Sequence, residues 1–237
     1  LAASLATYGK RVLLVDMDPQ GNATTGVGVD KNGLERSVYD VLTGKAQIED
    51  VVRSCADGTF DLLPANRDLT AAEVELMELA GRESRLRHAL QRVAGHYDFI
   101  IIDCPPSLSM LTVNSLVACH GVIIPMQCEY YALEGLSDLV NTIQRIGKVL
   151  NPGLRIEGIL RTMFDPRSSL TNEVTAQLHQ YFGDKVYRTT IPRNIRLAEA
   201  PSFGQTALQF DRHAKGAIAY LGLAGEIIRR RKGAARS

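Results

Sequence analysis

Short apolar runs rich in β-branched residues alternate along this chain with stretches whose apolar residues recur at helical spacing. A strand that is apolar throughout is covered on both faces, and a parallel neighbour can be reached only through a long crossover, usually a helix. The pattern therefore calls for an α/β fold: a doubly wound, mostly parallel sheet with helices on both faces. Strands are expected at 11–16 (RVLLVD), 60–63 (FDLL), 98–103 (DFIIID), 121–125 (GVIIP), 156–163 (IEGILRTM) and 186–191 (VYRTTI). Helices are expected at about 37–43, 69–79, 83–94, 109–119, 132–150, 170–182 and 214–231, with Asp68 as an N-cap and Gly81 as a stop. A chain of 237 residues without linker or repeat fits one domain over residues 1–237.

A formal net charge of +1 gives no overall pull toward nucleic acid, so any such binding must come from a local patch. Four cysteines with no C-x-x-C spacing read as reduced thiols, and no run approaches the ~18–20 apolar residues of a membrane span. A cytoplasmic protein is expected. Leu1, Leu5 and Tyr8 already follow helical spacing, so the chain is expected to be a fragment that begins inside a helix.

In open parallel sheets ligands bind beyond the carboxyl ends of the strands, and three of those ends carry unusual chemistry. Asp16 and Asp18 lie two apart, so in extended chain their carboxylates face one space and need a cation, donors or a raised pKa; Asp18 also suits an ordinary turn with Pro19, Gln20 and Gly21. The following "GNATTG" suits a mobile loop near phosphate. In "FIIIDCPPS" four apolar residues end in Asp103, the pattern of a Walker B strand whose carboxylate serves a magnesium ion, although many plain strand ends look the same. In "IPRNIR" a rigid turn at Pro192 is followed by Asn194, an amide able to meet a base edge, and by Arg193 and Arg196.

In this order the segments "GKRVLLVDMDPQGNATTGVG", "DFIIIDCPPSLSMLTVNSL", "EYYALEGL" and "IPRNIRLAEAPSFG" resemble the ParA/Soj family of chromosome- and plasmid-partitioning ATPases, deviant Walker A proteins akin to MinD. The likeness spans essentially the whole chain. It implies ATP and Mg2+ as ligands, Asp18 acting on the attacking water, Asp16 supporting the magnesium shell, and Asp103 on the metal. It implies too that Pro192 and Asn194 hold adenine, and that Arg167 and Arg196 bind DNA without regard to sequence. The implied partners are DNA, a second copy of the chain in an ATP-dependent homodimer on the nucleoid, and a ParB-like centromere-binding protein that stimulates hydrolysis.

One departure stands against this. The family's phosphate-binding loop, K-G-G-V-G-K-T-T, would precede Leu1, and no G-x-x-x-x-G-K-[ST] occurs. The polypeptide as written is therefore expected to lack the first strand, to leave Val12 to Val15 unpartnered on one side, and to bind or hydrolyse ATP poorly. Its literal alternative is a non-catalytic binding protein. The C-terminal "AIAYLGLAGEIIRRRKGAARS" is expected to pack Ile218, Leu221, Ala224 and Ile228 on the sheet and to leave Arg229, Arg230, Arg231, Lys232 and Arg236 as a solvated basic end for phosphates, or for a MinD-like membrane contact. An iron–sulfur role for Cys104 and Cys128 has less behind it, because neither has the glycine-rich surroundings of a cluster ligand.

Overall fold

The computed structural model describes residues 1–55, 58–129 and 132–234. Six strands are assigned among them: β1 (Val12–Asp16), β2 (Arg53–Cys55), β3 (Phe60–Leu63), β4 (Phe99–Asp103), β5 (Gly121–Gln127) and β6 (Arg155–Thr162). The helices are α1 (Ala2–Thr7), α2 (Asn22–Gly26), α3 (Val38–Thr43), α4 (Leu69–Glu75), α5 (Arg85–Val93), α6 (Met110–Ala118), α7 (Ala132–Leu150), α8 (Ser169–Phe182), α9 (Ile195–Glu199), α10 (Ala207–Phe210) and α11 (Lys215–Ala234). The strands form a four-stranded sheet in the order β2-β3-β1-β4 and a two-stranded sheet of β5 and β6, parallel except for the β2-β3 pair. The parallel α/β class read from the sequence is thus observed.

β1 sits at the centre of the larger sheet, and each of its residues Val12 to Asp16 is buried. Helices cover both faces: Leu13, Val15 and Met17 pack with α3, α4 and α5, whereas Val12 and Leu14 pack with α1 and Ala224 of α11. Each such enclosed side chain stabilises the fold by about 1.5–3 kcal/mol. The expectation that Val12 to Val15 lack a partner is corrected here, because β1 pairs with β3 on one side and β4 on the other. The free edges lie elsewhere. Among the described residues β4 pairs only with β1 and β5 only with β6, and Phe99 to Ile102 and Gly121 to Ile123 are half-buried where β1 is enclosed.

The expected strand at 186–191 is reduced to one isolated bridge, Ile159–Val186, with a second, Phe164–Pro192, just beyond it. Its backbone donors at Arg188 and Thr189 are taken by the Glu226 carboxylate of α11, which leaves no continuous ladder to form. Asp68 is not a side-chain cap: its carboxylate accepts from the Asn66 amide instead, and α4 gives way to a 3₁₀ turn at Leu76–Glu78 well before Gly81. Helix α3 is capped by Ser37 and Asp40, which complete a reciprocal capping box. Helix α11 departs in part from expectation. Ala224 and Ile228 pack inward as expected, but Ile218 is exposed and Ala217, Tyr220, Leu223 and Ile227 face inward as well. Its basic end is exposed at Arg229, Arg231 and Lys232 as expected, but partly engaged. Arg230 turns back onto Glu226 and Val186, and Arg231 donates to the Asp98 carbonyl over the Phe99 ring. Arg236, Tyr130 and Tyr131 lie outside the described residues.

Candidate nucleotide site

Asp16 and Asp103 occupy the last register position shared by β1 and β4. In parallel neighbours, register partners project to the same face, so the two carboxyl groups stand at one end of the sheet. Asp16 is completely enclosed. Its Oδ2 accepts from the Thr24 amide at 2.8 Å and the Thr24 hydroxyl at 2.7 Å, and its Oδ1 from the Asp18 amide at 3.1 Å. Burial lifts the Asp16 pKa above the ordinary carboxylate value, and the Thr24 and Asp18 donors only partly offset it.

The segment "GNATTG" is therefore not a loose loop. It closes as α2, and Thr24, fully buried, ties it down by donating to Asp16 while its hydroxyl accepts from the Ala65 amide at 2.9 Å. Thr24 is the residue that sequence reading missed. A threonine inside a small-residue turn gives no outward sign of sitting beneath a carboxylate. Asp18 is half-buried in the turn after β1, accepting from the Gln20 amide at 2.9 Å while Gly21 donates to its carbonyl. It thus serves as a turn former, with its second carboxylate oxygen left over.

Asp103 is the carboxylate at the open end. The protein packed around its carboxyl, with the charges of Asp16 and Asp18 alongside, pushes its pKa up to about 6 even though the residue reaches solvent. Such crowding of acidic groups favours a cation, and carboxylate oxygens are the hard donors that Mg2+ takes. The residues present fit that ion in one respect: Asp103 offers an unencumbered oxygen, while the Asp16 oxygens are already spent on Thr24 and Asp18. Among the described residues, no three His, Cys, Asp or Glu side chains converge as a ready-made cage, and Mg2+ characteristically relies on one or two carboxylates completed by phosphate and water. A cavity of about 450 Å³ opens beside Asp103, walled by Asn22, Ile101, Gln205 and Tyr220 among others.

The second element is the turn at Pro192. Phe164 donates its amide to the Ile191 carbonyl and bridges to Pro192, so the chain leading to Arg167 lies beside the turn that leads through Asn194 into α9 and Arg196. The Asn194 Oδ1 is buried without a hydrogen-bond partner. A buried amide oxygen left unsatisfied costs about 1–3 kcal/mol, and a ligand amino group would relieve it. Neither Pro192 nor Asn194 borders the cavity beside Asp103. The two spaces are linked through backbone. A Cβ on Gly28 would lie 2.8 Å from the Gly204 carbonyl oxygen, and one on Gly204 would lie 2.8 Å from the Gly28 Cα, so the chain after α2 presses directly on the chain after the turn. Both glycines have positive φ, +89° and +62°, which side chains resist.

Arg167 is exposed and paired with Asp165 at 2.9 Å, and Arg196 is exposed and paired with Glu199 at 2.9 Å while lying over the Phe210 ring. Cys104 is exposed and Cys128 buried, its thiol 4.0 Å from the Thr175 hydroxyl.

The comparisons place this parallel α/β fold in the P-loop NTPase class. A family model described as an AAA domain matches residues 1–156. The crystal structure of cobyrinic acid a,c-diamide synthase from Mycobacterium smegmatis with bound ADP and magnesium superposes with a TM-score of 0.84 at 38% identity, over 98% of this chain and 86% of that one. The sporulation initiation inhibitor protein Soj of Bacillus subtilis is 52% identical over 96% of this chain and 90% of its own length. The chromosome partitioning protein ParA of Caulobacter vibrioides is 47% identical over 98% and 88%. The chain belongs to the Soj/ParA family of chromosome-partitioning ATPases.

Proposed function

We propose that this protein is the ATP-driven switch of a DNA-partitioning system, chromosomal or plasmid-borne. In this reading ATP and Mg2+ bring two copies into a homodimer that holds DNA without regard to sequence. A ParB-like centromere-binding protein stimulates hydrolysis, and the copies part and leave the nucleoid for the cytoplasm. The observation that carries it is the row of acidic groups Asp16, Asp18 and Asp103 at the ends of β1 and β4, in a chain whose relatives are named as partitioning proteins.

Each residue has a task that its surroundings support. Mg2+, when bound, neutralises phosphate charge and orients the phosphate oxygens. Asp103 would hold it, through the oxygen it keeps open. Asp16 fixes the α2 segment through Thr24 and the turn through the Asp18 amide, so that the free Asp18 oxygen is held at a constant position to orient water. Asn194 offers its unpaired Oδ1 to a base amino group beside the rigid Pro192.

Arg167 and Arg196 are suited to DNA phosphates because their carboxylate partners, Asp165 for the first and Glu199 and Asp211 for the second, lie at the surface and only partly buried, and such pairs contribute only about 0–1 kcal/mol. Exchanging Asp165 or Glu199 for a phosphate therefore costs little. The test is DNA retention by the ATP-bound full-length protein as salt is raised. Binding should weaken steeply with salt, and Arg196→Glu should abolish retention while nucleotide binding persists. Salt-independent retention, or undiminished retention by Arg196→Glu, contradicts the DNA surface.

A further inference from the structure

The segment Val186 to Thr189, which leads into the Pro192 turn, is gripped by buried charges. From β6, Arg161, only 6% exposed, donates through Nη2 to the Tyr187 carbonyl at 2.8 Å and reaches the Arg188 carbonyl at 3.4 Å. From α11, Glu226, also 6% exposed, accepts from the Arg188 amide at 2.9 Å, the Thr189 amide at 2.9 Å and the Thr189 hydroxyl at 2.7 Å. Arg230 closes the far side, donating to Glu226 at 2.7 Å and to the Val186 carbonyl at 3.0 Å, with its guanidinium 4.3 Å above the Tyr187 ring. An anion from one element and a cation from another thus hold the amides and carbonyls of a single stretch.

Ordinary strand pairing would satisfy those backbone groups without burying charge, and buried ions are costly unless fully bonded. What the arrangement adds is a fixed position in a segment that, among the described residues, bridges β6 only at Ile159–Val186. That position is transmitted onward. Arg161 also lies 5.3 Å over the Phe164 ring, and Phe164 bridges Pro192, while Ile191 donates to the Arg161 carbonyl at 2.9 Å. Between Arg161 and Phe164, Met163 has φ +50°, the one non-glycine residue with positive φ among those described. Such strain persists only where the surroundings impose it. The Arg161 Nε remains buried without a partner, like the Asn194 Oδ1 three residues beyond Ile191, so neither end of this path is relaxed on its own.

We infer that Arg161 and Glu226 are positioning residues that set how the Pro192–Asn194 turn receives a purine base, and thereby make α11 part of base recognition. The inference rests on the reading of that turn as the base site. It is tested in the full-length protein by titrating ATP, GTP and inorganic tripolyphosphate, the last a probe with no base, into wild type, Glu226→Gln, Arg161→Lys and Thr189→Val. Leu178→Ala serves as a control that loosens the core into which Val186 packs while removing none of the segment's hydrogen bonds. Glu226→Gln and Arg161→Lys are expected to weaken ATP about tenfold and to narrow the ATP-over-GTP preference, with tripolyphosphate affinity unchanged. Thr189→Val, which keeps the shape and removes one donor, should show a smaller change in the same direction even if the charge variants fold poorly. Equal weakening of ATP and tripolyphosphate, an effect no larger than that of Leu178→Ala, or wild-type discrimination in all three variants overturns the inference. Wild type that binds tripolyphosphate but shows no preference among bases overturns the base-site reading beneath it instead.

Discussion

Asp16 and Asp103 stand opposite one another at the end of two adjacent parallel strands, the first sealed under Thr24 and the second open. A carboxylate whose folded pKa is raised destabilises the fold once pH exceeds its unfolded value, most fully above the folded value of about 6. Asp103→Asn removes that penalty. The ligand-free variant should melt about 2–4 °C higher at pH 7.5, the shift that roughly 1 kcal/mol brings in a chain of this size, and the gain should vanish near pH 4. Thermal melts at the two pH values check this; an equal or lower melting point at pH 7.5 contradicts it.

Thr24 bonds three ways at the centre of the site, to both Asp16 and the Ala65 amide. Thr24→Val keeps the volume and strips the hydroxyl, leaving a buried amide and a carboxylate oxygen short of a partner, at about 1–3 kcal/mol. Thr24→Ser should recover most of that loss in denaturant unfolding. A valine variant as stable as wild type would show the hydroxyl to be dispensable.

The Gly28–Gly204 contact leaves no room for a methyl group on either side. Gly204→Ala meets both the left-handed φ and the Gly28 Cα, so a loss of about 1–3 kcal/mol is expected. Gly9, also at positive φ but with open space around it, should lose only about 1 kcal/mol on the same change. Comparable losses at the two positions would remove the case for tight apposition of the loops.

Burial raises the Glu226 pKa, but the hydrogen bonds from Thr189, Arg188 and Arg230 outweigh it and hold the group below the ordinary glutamate value. The sign then follows from linkage. Its contribution is whole above the unfolded pKa, about 4.3, and is lost as pH falls through the lower folded value. Wild type should exceed Glu226→Gln in stability by about 1–3 kcal/mol at neutral pH, and the gap should close only under acid. A gap independent of pH down to pH 3 runs against the charged form of the clamp.

Much of this was legible in the residues, for identifiable reasons. The strand of Val12 to Asp16 and the strand of Phe99 to Asp103 announce themselves because both faces are covered, and their terminal aspartates break an otherwise apolar run. The segment at 186–191 has the same β-branched composition but fails as a strand, because Glu226, distant in sequence, captures its donors. Periodicity carries no trace of such a long-range bond. Thr24, Arg161 and Glu226 were hidden for that same reason. So was the location of the free sheet edges, since a run of apolar residues says that a strand is flanked and not by which neighbours.

The most direct measurement is Mg2+-dependent ATP turnover by the protein with DNA and the ParB-like protein proposed as its partner, in wild type and in Asp18→Ala. Partner-stimulated turnover is expected in wild type. In Asp18→Ala hydrolysis should fall at least a hundredfold, with ATP still bound and the dimer trapped on DNA. Hydrolysis retained by Asp18→Ala, with wild-type release from DNA, would contradict the assignment of the β1 strand end as the site of the chemistry.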